Sequence, residues 1–166
     1  MNNIRIERIE LDRINEFLSI IREIAIWLKD QGKEMWTLNK VNEAHFLNRF
    51  KDGEWYICYS GNEPAGVFIL LKENKRWWTD QPKGESLFLK KLGVRRKYAG
   101  TGISTYIINW IKSEVKKRNM RYIRLEIFAD VEFLDAFYKK NRFRLVKEVV
   151  SPRNNKRIGL YELKVI

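Results

Sequence analysis

The chain has 166 residues, 45% of them hydrophobic, with 33 basic and 21 acidic residues and a net charge of +12. That length fits one domain with a sizeable core, and the apolar content excludes extensive disorder. A single cysteine, Cys58, and a single histidine, His45, exclude an intrachain disulfide framework and argue against a cysteine- or histidine-based metal site.

In chain order, residues 4–9 alternate apolar and polar side chains as a half-buried strand does. Asp12 is placed to cap the helix that follows, in which Ile14, Phe17, Leu18, Ile21, Ala25 and Leu28 recur at helical spacing until Gly32 ends the run. A second helix is expected over 42–51, with Phe46, Leu47 and Phe50 on one face. Strands over 55–59 and 66–71 flank the Gly61-Asn62 turn and form a hairpin. His45 and Cys58 lie in these apolar-patterned segments, and burial is expected for both.

Residues 72–84 are polar, include Pro82, Trp77 and Trp78, and read as a loop. A strand over 87–94 leads through a glycine-rich turn into a helix over 103–117. A strand over 121–128, a short helix over 131–140 and strands over 143–150 and 158–165 complete the chain. The order β-α-α-β-β-β-α-β-α-β-β fits neither strict βα alternation nor an all-β pattern. It predicts an α/β (α+β) fold, a mixed sheet with helices on both faces. No apolar run is long enough to span a bilayer, and the N-terminus lacks the apolar core of a signal peptide, so a cytoplasmic location is expected.

The strand–glycine–helix passage carries the strongest functional signal. In Val94-Arg-Arg-Lys-Tyr-Ala-Gly-Thr-Gly-Ile-Ser104, Gly100 and Gly102 precede a helix start. Such a turn exposes backbone N–H groups to an anion, the helix dipole adds partial positive charge, and glycine allows close approach. It is not a Walker loop, because no Gly-Lys-Ser/Thr follows. Charge supports an anionic ligand on this side: residues 1–70 hold 9 basic and 11 acidic residues, whereas 71–166 hold 24 and 10.

The element order and this turn resemble the GNAT superfamily of N-acetyltransferases, whose central motif runs V-x-x-x-x-Q/R-x-x-G-x-G/A. Val94, Gly102 and Ser104 fit it, and Ala99 stands at the Gln/Arg position. Phe137-Tyr-Lys-Lys-Asn-Arg-Phe143 is similar to a second family signature, with Arg142 in place of the usual glycine and Val131 where the family often has Asn. The resemblance covers nearly the whole chain and implies a single acetyltransferase domain over 1–166, with a mostly antiparallel mixed sheet and acetyl-CoA as donor. It implies that Gly100, Thr101, Gly102, Ile103, Ser104 and Thr105 cradle the pyrophosphate, and that Leu92, Gly93 and Val94 bond the pantetheine and thioester. Gly93 near a strand end also suggests a bulge that splays two strands.

Transfer to an amine requires a base for the attacking nitrogen, an acid for the departing thiolate and N–H donors for the oxyanion. Tyr138 matches the family's acid position, and Glu126 is the candidate base, with a salt-bridged surface glutamate beside Arg124 as the competing reading. Trp27, Trp36 and Trp77, with Trp78 nearby, fall in segments that flank the acceptor side of this fold. The expected acceptor is a primary amine, a small molecule in the absence of any appended recognition domain, and the charge split favours one that is cationic before reaction and drawn toward the less basic N-terminal half. Neither nucleic acid, membrane nor metal is an expected partner, and a homodimer is compatible with the family. Two other readings stay open: a basic nucleic-acid-binding module, from Lys75-Arg-Trp-Trp78 and the basic C-terminal part, and an acyl-CoA-binding fold without turnover, from the departures at Ala99, Val131 and Arg142.

Overall fold

A computed structural model describes residues 3–33 and 35–166. Seven strands and four helices follow the predicted order: β1 (Ile4–Ile9), α1 (Ile14–Asp30), α2 (Glu43–Phe50), β2 (Glu54–Ser60), β3 (Glu63–Leu71), β4 (Ser86–Val94), α3 (Ile103–Lys117), β5 (Tyr122–Phe128), α4 (Glu132–Lys140), β6 (Arg144–Val150) and β7 (Arg157–Lys164). The sheet order is β1-β2-β3-β4-β5-β7-β6. β4 and β5 run parallel, while β1–β2, β2–β3, β5–β7 and β6–β7 are antiparallel. This is the mixed, mostly antiparallel sheet that the sequence predicts.

The chain divides into two compact units: residues up to Leu71 together with Lys90–Ile107, and Lys72–Leu89 together with Ile108–Ile166. β4 and α3 each contribute residues to both. In the first unit, every residue of β2 is buried, which explains why this stretch lacks clean alternation. Trp55, Ile57, Tyr59, Val67 and Ile69 form one core with Phe17, Leu18 and Ile21 of α1 and Phe46 and Phe50 of α2. The other face of the hairpin meets α3. A Cβ on Gly66 would stand 3.4 Å from both Ile103 and Ile107 and 3.1 Å from the Gly93 carbonyl oxygen. Helices thus cover both faces of β3.

Asp12 does not cap α1. It lies in a 3-10 turn, Leu11–Arg13, and Arg13 occupies the cap position without a side-chain bond. Asn42 does cap α2, its side chain accepting from the His45 N–H at 2.8 Å. Cys58 is fully buried, and desolvation pushes its thiol up to about 11. His45 is half-buried.

In the second unit, Arg124 is buried at the β5–β7 pair. It donates to Glu162 at 3.0 Å, Glu85 at 3.1 Å and the Ser86 hydroxyl at 2.5 Å. These partners satisfy a charge that would otherwise be costly to desolvate. The β4–β5 ladder is short: Ser86, Leu87 and Phe88 pair with Tyr122, Ile123 and Arg124, and pairing stops there. A left-handed residue follows in β4 at Lys91 (φ 55°), the backbone state of a bulge. The irregularity that the sequence suggests at Gly93 is therefore centred two residues earlier.

Three helices end on a left-handed residue. Gly32, Asn119 and Arg142 have φ of 72°, 57° and 70°. At the end of α4, the Phe143 N–H donates to the Tyr138 carbonyl at 2.9 Å and the Arg142 N–H donates to the Lys139 carbonyl at 2.9 Å. The Phe143 and Tyr138 rings meet edge-on at 5.3 Å. This is the Schellman arrangement, which favours glycine at the left-handed position. Arg142 holds that position against its Cβ strain, so Arg142→Gly is expected to stabilise the protein by about 1 kcal/mol. At this chain length that is a rise of roughly 2–4 °C in Tm by calorimetry; an unchanged or lower Tm would show that the arginine side chain offsets the strain.

Candidate active site

The predicted phosphate turn is built in the first unit. Gly100 and Gly102 have φ of 75° and 91°, and a Cβ on either would meet nothing within 4 Å. Both glycines are therefore required by backbone conformation and leave the turn's concave side clear. The Thr101 N–H donates to the Tyr98 carbonyl at 3.2 Å, and the Tyr106 N–H donates to the Gly102 carbonyl at 2.9 Å. Apart from these, the amides of the turn have no backbone partner outside the helix among the described residues. That leaves the first N–H groups of α3, including those of Ile103, Ser104 and Thr105, as donors to an anion. These features fit a pyrophosphate without any side chain at the Ala99 position.

Two carboxylates clamp the approach to this turn. Glu23 of α1 accepts from the Arg95 Nε at 3.3 Å and from the Arg96 N–H at 3.1 Å. Glu63 of β3 accepts from Arg95 at 3.1 Å, from the Lys97 ammonium at 2.6 Å and from the Tyr98 hydroxyl at 2.6 Å. The Lys97 and Tyr98 hydrogen bonds hold the Glu63 carboxyl below its ordinary value. The Arg96 guanidinium lies 3.6 Å from the Trp27 ring centroid. Trp27, expected on the acceptor side, is thus engaged with the arginine of the phosphate turn. The clamp was not foreseen from the sequence, because its partners lie 32 to 73 residues apart.

The 92–94 strip is also in this unit, with Gly93 buried and Leu92 and Val94 half-buried. A Cβ on Gly93 would lie 2.5 Å from the Ile24 Cδ1 and 3.2 Å from the Trp36 indole. Trp36, expected on the acceptor side, thus borders the strip. It also touches a residue that sequence reasoning missed. The Lys91 ammonium lies 5.3 Å from the Trp36 ring and 5.8 Å from the Phe46 ring, and burial brings its pKa down to about 8. Its left-handed backbone conformation carries no sequence signal, since lysine is not a residue type that marks one.

The two predicted catalytic side chains lie in the second unit. Glu126 of β5 does not pair with Arg124. Its carboxylate accepts from the Asn74 amide at 3.1 and 3.3 Å and from the Trp78 indole N–H at 3.2 Å. Asn74 in turn accepts from the backbone N–H groups of Arg76 and Trp77. The 72–84 loop thus positions the carboxylate, with Trp78 in contact, whereas Trp77 stacks with the Arg76 guanidinium at 4.8 Å. Tyr138 is buried on α4 among Phe137, Phe143 and Tyr161. Its hydroxyl makes no hydrogen bond to a described residue. Desolvation raises its pKa well above the usual phenol value. Tyr161 bonds the Asp135 carboxylate.

Comparison with known proteins agrees with this construction. The sequence model of the acetyltransferase (GNAT) family matches residues 21–143. An uncharacterized N-acetyltransferase of Bacillus subtilis strain 168, YesJ, is 30% identical over 122 residues, covering 70% of this chain and 68% of YesJ. A GNAT-family protein of Desulfovibrio desulfuricans superposes with a TM-score of 0.74 at 12% identity, covering 99% of this chain and 100% of that one. A GNAT-family acetyltransferase of Elizabethkingia anophelis solved with acetyl-CoA bound gives 0.64 at 16% identity, with 99% of both chains covered. The family model spans most of the chain, and the chain belongs to the GNAT family of acetyltransferases. Among the described residues no group of side chains is arranged to hold a metal, and no helix is long and apolar enough to cross a membrane.

Gly93→Ala tests the crowding at the strip. The new methyl group must displace the Ile24 Cδ1 and the Trp36 ring, an overpacking that costs about 1–3 kcal/mol. Thermal unfolding should show the loss, and adding Ile24→Val, which deletes the clashing carbon, should recover part of it. No recovery in the double variant would locate the strain elsewhere.

Proposed function

We propose that the protein transfers the acetyl group of acetyl-CoA to a primary amine of a small molecule, as a single acetyltransferase domain. The observation that carries this reading is the open glycine turn, with its left-handed backbone and unpartnered amides at the start of α3. The turn Gly100–Thr105 cradles the pyrophosphate, with the backbone N–H groups of Ile103, Ser104 and Thr105 as donors while that of Thr101 is held by the Tyr98 carbonyl, and the N–H groups of Leu92–Val94 hold the pantetheine and stabilise negative charge on the thioester oxygen. The coenzyme supplies an activated acyl carbonyl and a thiolate leaving group.

Glu126 serves as the base, directly or through water. Its orientation by Asn74 and Trp78 is the support for this role, since a base must be held at a fixed angle to its proton. Tyr138 protonates the departing thiolate. Its support is the match to the family position, together with burial of the residue, which keeps the phenol protonated, and a hydroxyl with no intramolecular partner among the described residues. The departure at Arg142 does not weaken this assignment, because the arginine adopts the backbone state that the family's glycine would.

Gly102→Val should weaken acetyl-CoA binding at least tenfold, or ~1.4 kcal/mol, because valine disfavours φ of 91° and adds bulk on the open side of the turn. Isothermal calorimetry on the folded variant reads this, and unchanged affinity would remove the turn from the site. Tyr138→Phe should lower kcat on the order of 10²-fold with coenzyme affinity retained, the pattern of a group that acts as the thiolate forms. Because burial favours the neutral phenol and raises its pKa, turnover in the unaltered protein should show no alkaline fall from Tyr138 at pH 10, the ordinary phenol value. A Phe variant with full turnover would return Tyr138 to a packing role.

A further inference from the structure

The surroundings of Lys91 are at odds with an acceptor that is cationic throughout. Lys91 sits in β4 two residues before Gly93, and Trp36 touches both: its ring lies 3.2 Å from the Gly93 Cβ position and 5.3 Å from the Lys91 ammonium. From α2, Phe46 meets that ammonium at 5.8 Å, and His45 packs on Phe46 with ring centroids 6.2 Å apart. Arg49, one turn along α2, and Lys40, in the 3-10 turn Leu38–Lys40, act electrostatically on both Lys91 and His45. From α1, the side chain that reaches this strip is the uncharged Ile24.

Among the described residues, the charges that act on Lys91 and His45 are positive, those of Arg49 and Lys40, with Lys91 itself acting on His45. Lys40, His45 and Lys91 form no ion pair with a described residue. A half-buried ammonium amid like charges lacks the compensation such groups normally have, and an arrangement of this kind marks a binding site more often than a structural one. It also borders the strip assigned to the thioester.

We propose that the Lys91 cluster binds an anionic group of the acceptor, so that the substrate class is a small amine carrying a carboxylate or phosphate close to its nitrogen. This rests on the acetyl-transfer reading above. The aromatic faces of Trp36 and Phe46 hold the ammonium in place, and Lys40 and Arg49 add a positive field that attracts an anion and repels a second cation. On this proposal the charge split along the sequence misleads about the acceptor: residues 1–70 are acidic on balance, yet two of their basic residues, Lys40 and Arg49, act on Lys91.

The test measures thiol release at pH 7.5 for matched pairs, with rates expressed per neutral amine: amino acids against their carboxamides, and O-phosphoethanolamine against ethanolamine. The anionic member should give at least tenfold higher kcat/KM in one of the two sets, and which set does so separates carboxylate from phosphate. Lys91→Met keeps the apolar stem and deletes the charge; it should bring the ratio to within about twofold while acetyl-CoA affinity is unchanged. A polyamine or carboxamide that outperforms its anionic counterpart, or a preference that survives Lys91→Met, overturns the proposal. Should no acceptor be turned over, calorimetry with coenzyme A present decides it, using N-acetylglycine against N-acetylglycinamide and N-acetylated O-phosphoethanolamine against N-acetylethanolamine. Equal affinity within both pairs overturns it there. Failure of acetyl-CoA to bind at all would instead sink the acetyl-transfer reading, so the two failures are distinct. The ammonium is lost as pH rises through about 8, so anion binding should weaken above that pH in the unaltered protein and show no such fall in Lys91→Met.

Discussion

The missing side chain at Gly93 is the constraint on which the rest of the first unit depends. The space that a Cβ would fill is already taken by Ile24 of α1 and by the Trp36 indole, and on the neighbouring strand a Cβ at Gly66 would stand 3.1 Å from the Gly93 carbonyl oxygen. Two glycines without positive φ, chosen for closeness alone, bring α1, β3, β4 and Trp36 together. Through Trp36 the same packing fixes Lys91. The geometry of the strip assigned to the thioester, and of the basic cluster beside it, is thus set by core packing and needs no dedicated loop.

Much of this was legible in the sequence. Alternation and helical spacing gave the strands and helices, because each half-buried element repeats at its own period. The glycine turn was readable because left-handed φ values demand glycine, and Gly100 and Gly102 supply them. The parts that escaped are those where a residue occupies a position its type does not advertise. Lys91 and Arg142 take left-handed conformations with full side chains. Asp12 has the chemistry of a cap, but the chain runs on through a 3-10 turn. Glu126 stands two residues from Arg124, on the same face of β5, so alternation cannot tell whether the two pair; their partners come from elsewhere in the chain, Glu85 and Glu162 for Arg124, and Asn74 and Trp78 of the 72–84 loop for Glu126.

The basic residues divide into kinds that a net charge of +12 conceals. Arg95 and Lys97 are spent on Glu23 and Glu63, and Arg124 on Glu85 and Glu162, so they add little to the field an incoming ligand meets. Arg96 is laid flat on Trp27, where the aromatic face holds its cation. Lys91 has aromatic neighbours but no counter-ion among the described residues. Counting charge locates a basic half of the chain; only the pairing identifies which cations remain available.

The clamp formed by Glu23 and Glu63 has a kinetic consequence. A glycine-rich loop that had to become ordered around its ligand would lose conformational entropy at each encounter, on the order of 1–2 kcal/mol per residue fixed. Here α1 and β3 hold the chain entering the turn at four successive residues, Arg95 to Tyr98. That ordering is complete once the protein has folded. If the turn takes the coenzyme as proposed, capture is a collision with a finished surface, limited by diffusion and orientation rather than by loop rearrangement.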